Sequence, residues 1–349
     1  MPFLTESGKK SMKDIFTTLL SGKTLTQDQT RSAFEAIMSG AAPQAQVGAF
    51  LALLALRDPT VDELAGAATV MRQFVVPVAA PEDVIDTCGT GGAGSRIFNV
   101  STTAAMVAAA CGIPVAKHGN SAVTSRSGSA DVLKKLGVRV DIDPDLQARC
   151  LKQIGICFCF APRHHPAMRH VAEIRNSLGF ATIFNLIGPL TNPAGARRQL
   201  VGVPRPSLVR PILEVLVRLG AARAMVVCGT DPVEGMLCEL SIGGSTRVAL
   251  FDGEEVKTLE LSPKDVGLQT SPADDLRIDS PEASAAKIRE ILSGKPGPAR
   301  DIVLLNSAAA LWVGGKVESL REGVKLSVAA IDSGKALKTL ENLAAMTHG

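Results

Sequence analysis

Through residues 11–76, apolar positions recur at helical spacing. Ile15, Leu19 and Leu20 mark a first helix with Gly22 as its stop. Thr26 caps a second, which carries Phe34, Ile37 and Met38 and ends at Gly40. Ala45 to Leu56 is almost wholly apolar or small, and a helix of that composition is covered on more than one side. In a helical unit this predicts packing against a second subunit as well as against its own core. A fourth helix, Val61 to Phe74, begins after Asp58-Pro59 and carries Asp62 and Glu63 in its first turn, where they complement the helix dipole. Pro77 and Pro81 then mark a linker.

From residue 84 the pattern changes. Short apolar runs at Val84-Ile85, Val115-Ala116, Val138–Ile142, Ile156–Phe160, Leu200–Val203, Ala224–Val227 and Arg247–Leu250 predict strands, with helical patterns between most of them. The alternation predicts an α/β fold: a small all-helical domain plus a larger domain whose central, mainly parallel sheet is flanked by helices. Residues 264–300, rich in Pro, Ser and Asp, read as an excursion over the surface. Two helical runs follow, Ile302–Trp312 and Ser319–Leu343, the second with a break at Ser333-Gly334. Trp312, in an apolar helix, reads as core.

Composition narrows the function. The chain has 349 residues, net charge +3, 46% apolar residues, one Trp and no Tyr, which argues against a nucleic-acid surface or base-stacking platform. Seven cysteines without a C-x-x-C pair read as buried free thiols in a reducing compartment. No signal-peptide pattern and no membrane-length apolar run is visible, so the expectation is a cytoplasmic protein with no membrane partner.

Three stretches carry chemistry. Asp86 to Thr102, DTCGTGGAGSRIFNVST, places Gly89, Gly91, Gly92 and Gly94 between a strand and a helix start, followed by Ser101 and Thr102. Such a turn lets backbone N–H groups approach an anion, although it is neither of the two commonest nucleotide motifs. Lys117 to Ser129, KHGNSAVTSRSGS, follows a strand and mixes cations with many hydroxyls, the donor set phosphate needs. Two donor-rich loops, each after a strand, favour a ligand with two separate phosphate groups. Phe160 to Pro193 concentrates Arg163, His164, His165, Arg169, His170 and Arg175. His165 and Arg169, four apart, can share a helix face. Without a carboxylate partner the histidines do not read as a metal site; a cationic surface for an acidic small molecule is the better reading.

Together these stretches resemble the anthranilate phosphoribosyltransferases. The resemblance runs through the N-terminal helices, GTGG, KHGN with SRSGSADVL, FAPRHHPAMRHVAEIR and TIFNLIGPLTNP, almost the whole chain. It implies a helical, dimerising domain at residues 1–80 plus a middle segment near 170–200. The remainder of 81–349 would bind phosphoribosyl pyrophosphate, with substrates held between the domains of a homodimer. It implies transfer of the phosphoribosyl group to the amine of anthranilate, with Mg2+, in tryptophan biosynthesis. By the resemblance, Gly89, Gly91, Gly92, Asn99, Val100, Ser101 and Thr102 form the pyrophosphate and ribose loop. Lys117, Gly119, Asn120, Ser125 and Ser129 form the second. Gly89, His118, Asn120 and Arg175 contact anthranilate, and the metal falls to Ser101, Glu239 and Cys238.

The chain also departs from the family pattern. Ala93 stands where an acid usually follows GTGG, Ile97 with Arg96 beside it where a Thr precedes Phe-Asn, and Ser121 where Arg is common. Cys238 replaces the Asp of a metal-binding Asp-Glu pair, and a thiol is a poor ligand for a hard cation. In the longer GTDPVEG turn, Asp231 and Glu234 either replace that acid or are simply solvated. Two other functions compete: a relative with another acceptor, against which the His118, Asn120 and Arg175 set argues, and a non-catalytic nucleic-acid-binding relative, against which the charge argues.

Overall fold

Three of the first four helices open on a reciprocal cap. In α1 (Met12–Leu20), α2 (Gln27–Met38) and α4 (Val61–Gln73), the pairs Ser11 with Asp14, Thr26 with Gln29 and Thr60 with Glu63 satisfy amides the helix leaves open. α3 (Gln44–Ala55) begins at Pro43 without a side-chain cap. The computed structural model describes residues 11–122 and 127–349. Two compact units divide them: the chain up to Val75 with His165–Thr191, and Val76–His164 with Asn192–Gly349.

The first unit is helical. Phe34 meets Phe50 edge-on at 6.0 Å and Phe184 at 5.3 Å, so the middle segment, with short helices Ala172–Leu178 and Ile183–Ile187, completes this unit's core. The unit also encloses a carboxylate. Glu63 takes both ends of the Arg57 guanidinium at 2.6 and 2.8 Å and the amides of Leu25 and Thr60 at 2.9 and 2.8 Å. α3 buries Val47, Phe50, Leu51 and Leu54 but leaves Ala45, Ala49 and Ala55 exposed, and nearby Leu56 is 81% exposed.

The second unit is built on an eight-stranded sheet: β1 (Ile85–Gly89), β2 (Val115–Gly119), β3 (Ile156–Phe160), β4 (Arg198–Gly202), β5 (Arg223–Asp231), β6 (Gly235–Leu237), β7 (Thr246–Phe251) and β8 (Val256–Leu261). The order is β3-β2-β1-β4-β5-β7-β8, with β6 paired to β5. Strands β1 to β5 run parallel; β6, β7 and β8 are antiparallel additions. Helices α5 (Val100–Ala110), α6 (Ser129–Lys135), α7 (Pro144–Ile154), α8 (Val209–Arg218), α9 (Pro281–Leu292), α10 (Pro298–Val313), α11 (Leu320–Asp332) and α12 (Lys335–Thr347) accompany it. α5 is small, apolar and buried almost all round, packed on β1, α10 and α12. The expected break between the last two helices falls where Gly334 adopts φ +74. Among the described residues no helix is long and apolar enough to cross a membrane.

Two expectations fail, and one strand had no counterpart in the apolar pattern. Val138, Val140 and Ile142 are buried in alternation, which mimics a strand, but the segment pairs with none among the described residues; Arg139 donates its amide to Thr347 Oγ1 instead. The polar stretch 264–300 is not a surface excursion throughout. It holds α9, capped by Ser280 and opened by Pro281, with Ser284, Ala285, Ile288, Ile291 and Leu292 buried. β8 escaped notice because four of its six residues are exposed, as suits an edge strand carrying Lys257 and Glu260.

Candidate functional site

β1, β2 and β4 end side by side, with Gly89 in register with Gly202. Ligands of open α/β sheets gather at these carboxyl ends. After Gly89 the chain turns through Gly91, Gly92 and Gly94 at φ +68, +85 and +73, values that favour glycine. Among the described residues, a Cβ at any of these three would meet no atom within 4 Å, so they leave one side of the turn open to an incoming group. Gly89 and Gly202 are glycine for a different reason: Cys238 backs them. A Cβ on Gly202 would overlap the Cys238 carbonyl oxygen, and one on Gly89 would lie 3.3 Å from Cys238 Cβ. Thr90 anchors the upstream end of the loop through its amide to Gly202 O at 2.9 Å.

Lys117, near the end of β2, is 3% exposed. Its ammonium donates to Thr87 O and reaches Ser101 Oγ at 3.4 Å, which puts a fixed cation beside the first turn of α5. The positive end of α5 adds to it. Beneath lies Asp86, fully buried, whose carboxylate accepts from the His118 amide at 3.1 Å and from Cys88 Sγ at 3.3 Å. Burial pushes the Asp86 pKa up, while the Lys117 charge and the Asn192 and His118 hydrogen bonds oppose it. Asn192 in turn donates to Ala116 O at 2.8 Å.

Other expected donors have assigned places. Asn99 holds the two loops together: its Nδ2 donates to Ser127 O at 3.0 Å, and its Oδ1 accepts from Ser127 and Ser284 hydroxyls, both at 2.8 Å. The Val100 side chain is buried and its amide donates to Phe98 O at 2.8 Å. Thr102 is buried, its hydroxyl without a partner among the described residues. Asn120 is exposed; its carbonyl accepts from the Ala130 amide at 3.1 Å and the Ser129 hydroxyl at 3.3 Å. A Cβ on Gly119 would overlap that hydroxyl and crowd the Phe158 ring. Ser125 lies outside the described residues. Asp131 closes the base of the second loop by accepting from the Ala122 and Gly128 amides at 2.8 and 3.1 Å. Sequence reading did not assign Asp86, Asp131, Asn192 or Ser284 to the site. The only signal was a carboxylate, Asp86, directly following an apolar strand start.

The Cys238-Glu239 pair divides its roles. Glu239 Oε1 accepts from the Ser101 amide at 3.2 Å. Although the residue as a whole is only half-buried, protein surrounds its carboxylate and burial lifts its pKa to about 7 against the pull of Lys117 and Ser101. Cys238 Sγ faces Gly91 O at 3.6 Å, and burial with the Glu239 charge pushes its pKa to about 12. The thiol packs on the glycine loop, and soft sulfur is a poor ligand for a hard cation. Among the described residues no three His, Cys, Asp or Glu side chains converge on one point. Glu239 and the Ser101 hydroxyl do offer hard oxygens, and magnesium characteristically takes one or two carboxylates together with substrate phosphates. The residues therefore fit such an ion when a phosphorylated ligand completes its shell. Both oxygens of Glu234 are engaged, whereas Asp231 keeps its buried Oδ2 without a partner among the described residues. Asp231 Oδ1 accepts from the Val233 and Glu234 amides at 2.8 and 3.0 Å, and Glu234 is bound to Arg96 and Arg277.

Arg175 belongs to the helical unit. Its guanidinium lies over the Phe184 ring at 5.3 Å and reaches Asn185 Oδ1 at 3.4 Å, half-buried and with its pKa lowered by burial. The rest of the basic segment is less uniform than its composition suggests. His164 is fully buried, bonded to Val76 O at 2.7 Å, and burial lowers its pKa, so it adds no charge near neutral pH. Pro166–His170 is a 3₁₀ turn, so His165 and Arg169 do not share an α-helical face.

Comparison with known proteins agrees with this arrangement. Residues 81–337 match the glycosyl transferase family, a/b domain, and residues 13–75 the glycosyl transferase family, helical bundle domain. The anthranilate phosphoribosyltransferase of Rhodopseudomonas palustris (strain HaA2) is 48% identical over 335 residues, 96% of this chain and 98% of the relative. The crystal structure of anthranilate phosphoribosyltransferase from Thermus thermophilus is 40% identical with a TM-score of 0.89, covering 96% of this chain and 100% of that one. The Saccharomyces cerevisiae anthranilate phosphoribosyltransferase in complex with PRPP and Mg is 27% identical with a TM-score of 0.87, covering 97% and 98%.

Proposed function

The chain belongs to the anthranilate phosphoribosyltransferases of the glycosyl transferase family, and from that membership we propose how its residues divide the work. The reaction moves the 5-phosphoribosyl group from phosphoribosyl pyrophosphate to the amine of anthranilate and releases pyrophosphate, in tryptophan biosynthesis. The observation that carries the reading is the buried Lys117 ammonium beside Ser101 at the start of α5, flanked by an open-sided glycine turn. As pyrophosphate departs, negative charge grows on its oxygens and the ribose becomes oxocarbenium-like. Lys117, the Ser101 hydroxyl and the loop amides stand ready for that charge without reorganising. The glycines Gly89, Gly91 and Gly92 let the donor come close. Asn99, Gly119, Asn120 and Ser129 shape its second binding edge; Val100 contributes through the helix start, and Thr102 adds a buried hydroxyl without a partner among the described residues.

Magnesium, held by Glu239 and the Ser101 hydroxyl with the donor's phosphates, would neutralise part of the leaving group's charge. Arg175 takes the anthranilate carboxylate, for which its planar fork is suited, and His118 and Asn120 border the ring. An aromatic amine is already a neutral nucleophile, so alignment matters more than a strong general base. The reading includes a cytoplasmic homodimer, which would cover the exposed apolar positions Leu20 and Leu56.

Incubation with phosphoribosyl pyrophosphate, magnesium and anthranilate tests the activity. Loss of anthranilate fluorescence that needs all three components is expected; no loss over a wide magnesium range, with folded protein, would sink the assignment. In the same assay Arg175→Ala should raise the KM for anthranilate by about 10- to 100-fold and leave that of the donor near its wild-type value. An equal rise for both substrates would remove Arg175 from the acceptor's carboxylate.

A further inference from the structure

The glycine loop is fastened downstream by a residue far along the chain. β5 and β6 form a hairpin in which Asp231 pairs with Gly235, and the Asp231 carboxylate ties the turn between them to itself. That turn delivers Glu234. One of its carboxylate oxygens accepts from the Arg96 amide at 2.6 Å, and the other from Arg277 Nε at 2.5 Å. The Glu234 side chain is 4% exposed, against 45% for Arg277. Burial pushes its pKa up, but the bonds from Arg96 and Arg277 outweigh that and hold it below the usual carboxylate range.

The partners close a ring. Ile97 bridges Arg277, the Ile278 amide donates to Arg96 O at 2.8 Å, and the Phe98 amide to Leu276 O at 3.0 Å. The loop is thus pinned at Thr90 on one side and at Arg96–Phe98 on the other. Between the pins lie Gly91, Gly92 and Gly94, at which a side chain would meet nothing among the described residues. A stretch so permissive depends on its anchors for a single conformation. An exposed ion pair would be a weak anchor, but this carboxylate is buried and one of its bonds goes to the loop's main chain.

We propose that Glu234 is a positioning residue for the phosphoribosyl donor: through the Arg96 amide and Arg277 it holds the glycine stretch in the shape that receives the donor's phosphates. The donor's identity rests on the function proposed above; the fastening does not. It answers the question the long GTDPVEG turn raises, since its acid secures the loop rather than a cation. A preformed cradle spares the ordering that binding would otherwise require.

The test combines amide hydrogen exchange of the free protein with calorimetric titration by phosphoribosyl pyrophosphate and magnesium. Glu234→Ala should speed exchange across residues 90–98 and weaken donor binding by about tenfold, with the melting temperature and anthranilate KM unchanged. Glu234→Gln, which keeps an acceptor for the Arg96 amide, should recover part of both effects, and Arg277→Met should weaken the donor less than the alanine variant does. Unchanged exchange in Glu234→Ala, faster exchange with unaltered donor affinity, or a lower melting temperature with both substrates weakened equally would each overturn the proposal. A wild-type protein that binds no donor would overturn the functional reading and with it the donor half of this one, whereas the exchange result would still judge the fastening.

Discussion

Lys117→Met is expected to lower kcat/KM for the phosphoribosyl donor by about 10²- to 10³-fold, the usual consequence of removing one preorganised donor from a developing anion. The substitution keeps length and apolar stem but deletes the ammonium bonded to Thr87 O and beside Ser101 Oγ. Its second effect falls on Asp86, which loses the opposing charge that most favours its ionised form. The Asp86 pKa should therefore rise further, without unfolding the sheet, because the His118 amide and the Cys88 thiol still face its carboxylate. Steady-state kinetics at several pH values beside a melting curve separate the two effects. A variant with wild-type kcat/KM would show that Lys117 serves only the interior.

Glu63→Ala should destabilise the helical unit by about 3 kcal/mol, the lower end for a broken buried pair, because the Arg57 side chain is 32% exposed and can rehydrate. The change strands the amides of Leu25 and Thr60 as well as the guanidinium. The pH dependence follows from the sign of the shift. Burial raises the Glu63 pKa, but the bonds from Arg57, Leu25 and Thr60 outweigh it and bring the folded value below the ordinary 4.5. The stabilisation is then fully present above about 4.5 and disappears as pH falls through the folded value. Denaturant unfolding followed by helix content should show wild type and variant converging in acid. A constant gap between them at all pH values would refute the linkage.

The helices of the first unit and the parallel strands were legible because their patterns coincide with burial. Apolar spacing announced α1, the Thr26 cap α2 and first-turn acids α4, and short apolar runs announced β1 to β5. Legibility failed where burial and pairing part company. Val138, Val140 and Ile142 alternate like a strand because a connector crosses the core, whereas β8 is a strand whose residues are mostly wet. The site was legible in its loops, since glycines, hydroxyls and a lysine after strands have a direct chemical meaning. What the sequence did not disclose were its supports. Asp86, Asn192, Ser284 and Glu234 act across separations that no local pattern encodes, and each resembles an ordinary polar residue until the fold brings its partner near.

The helical unit's division into two chain segments bears on how the polypeptide is made. Phe34 and Phe50 leave the ribosome well before Phe184, the second ring packed on Phe34, and β1 waits for residues 198–202 to supply β4. Over a hundred residues must be translated in that interval, which at about 5–20 residues per second is on the order of ten seconds. During it the nascent chain carries an unfinished aromatic core and one open sheet edge, the surfaces that chaperones hold and that aggregation exploits.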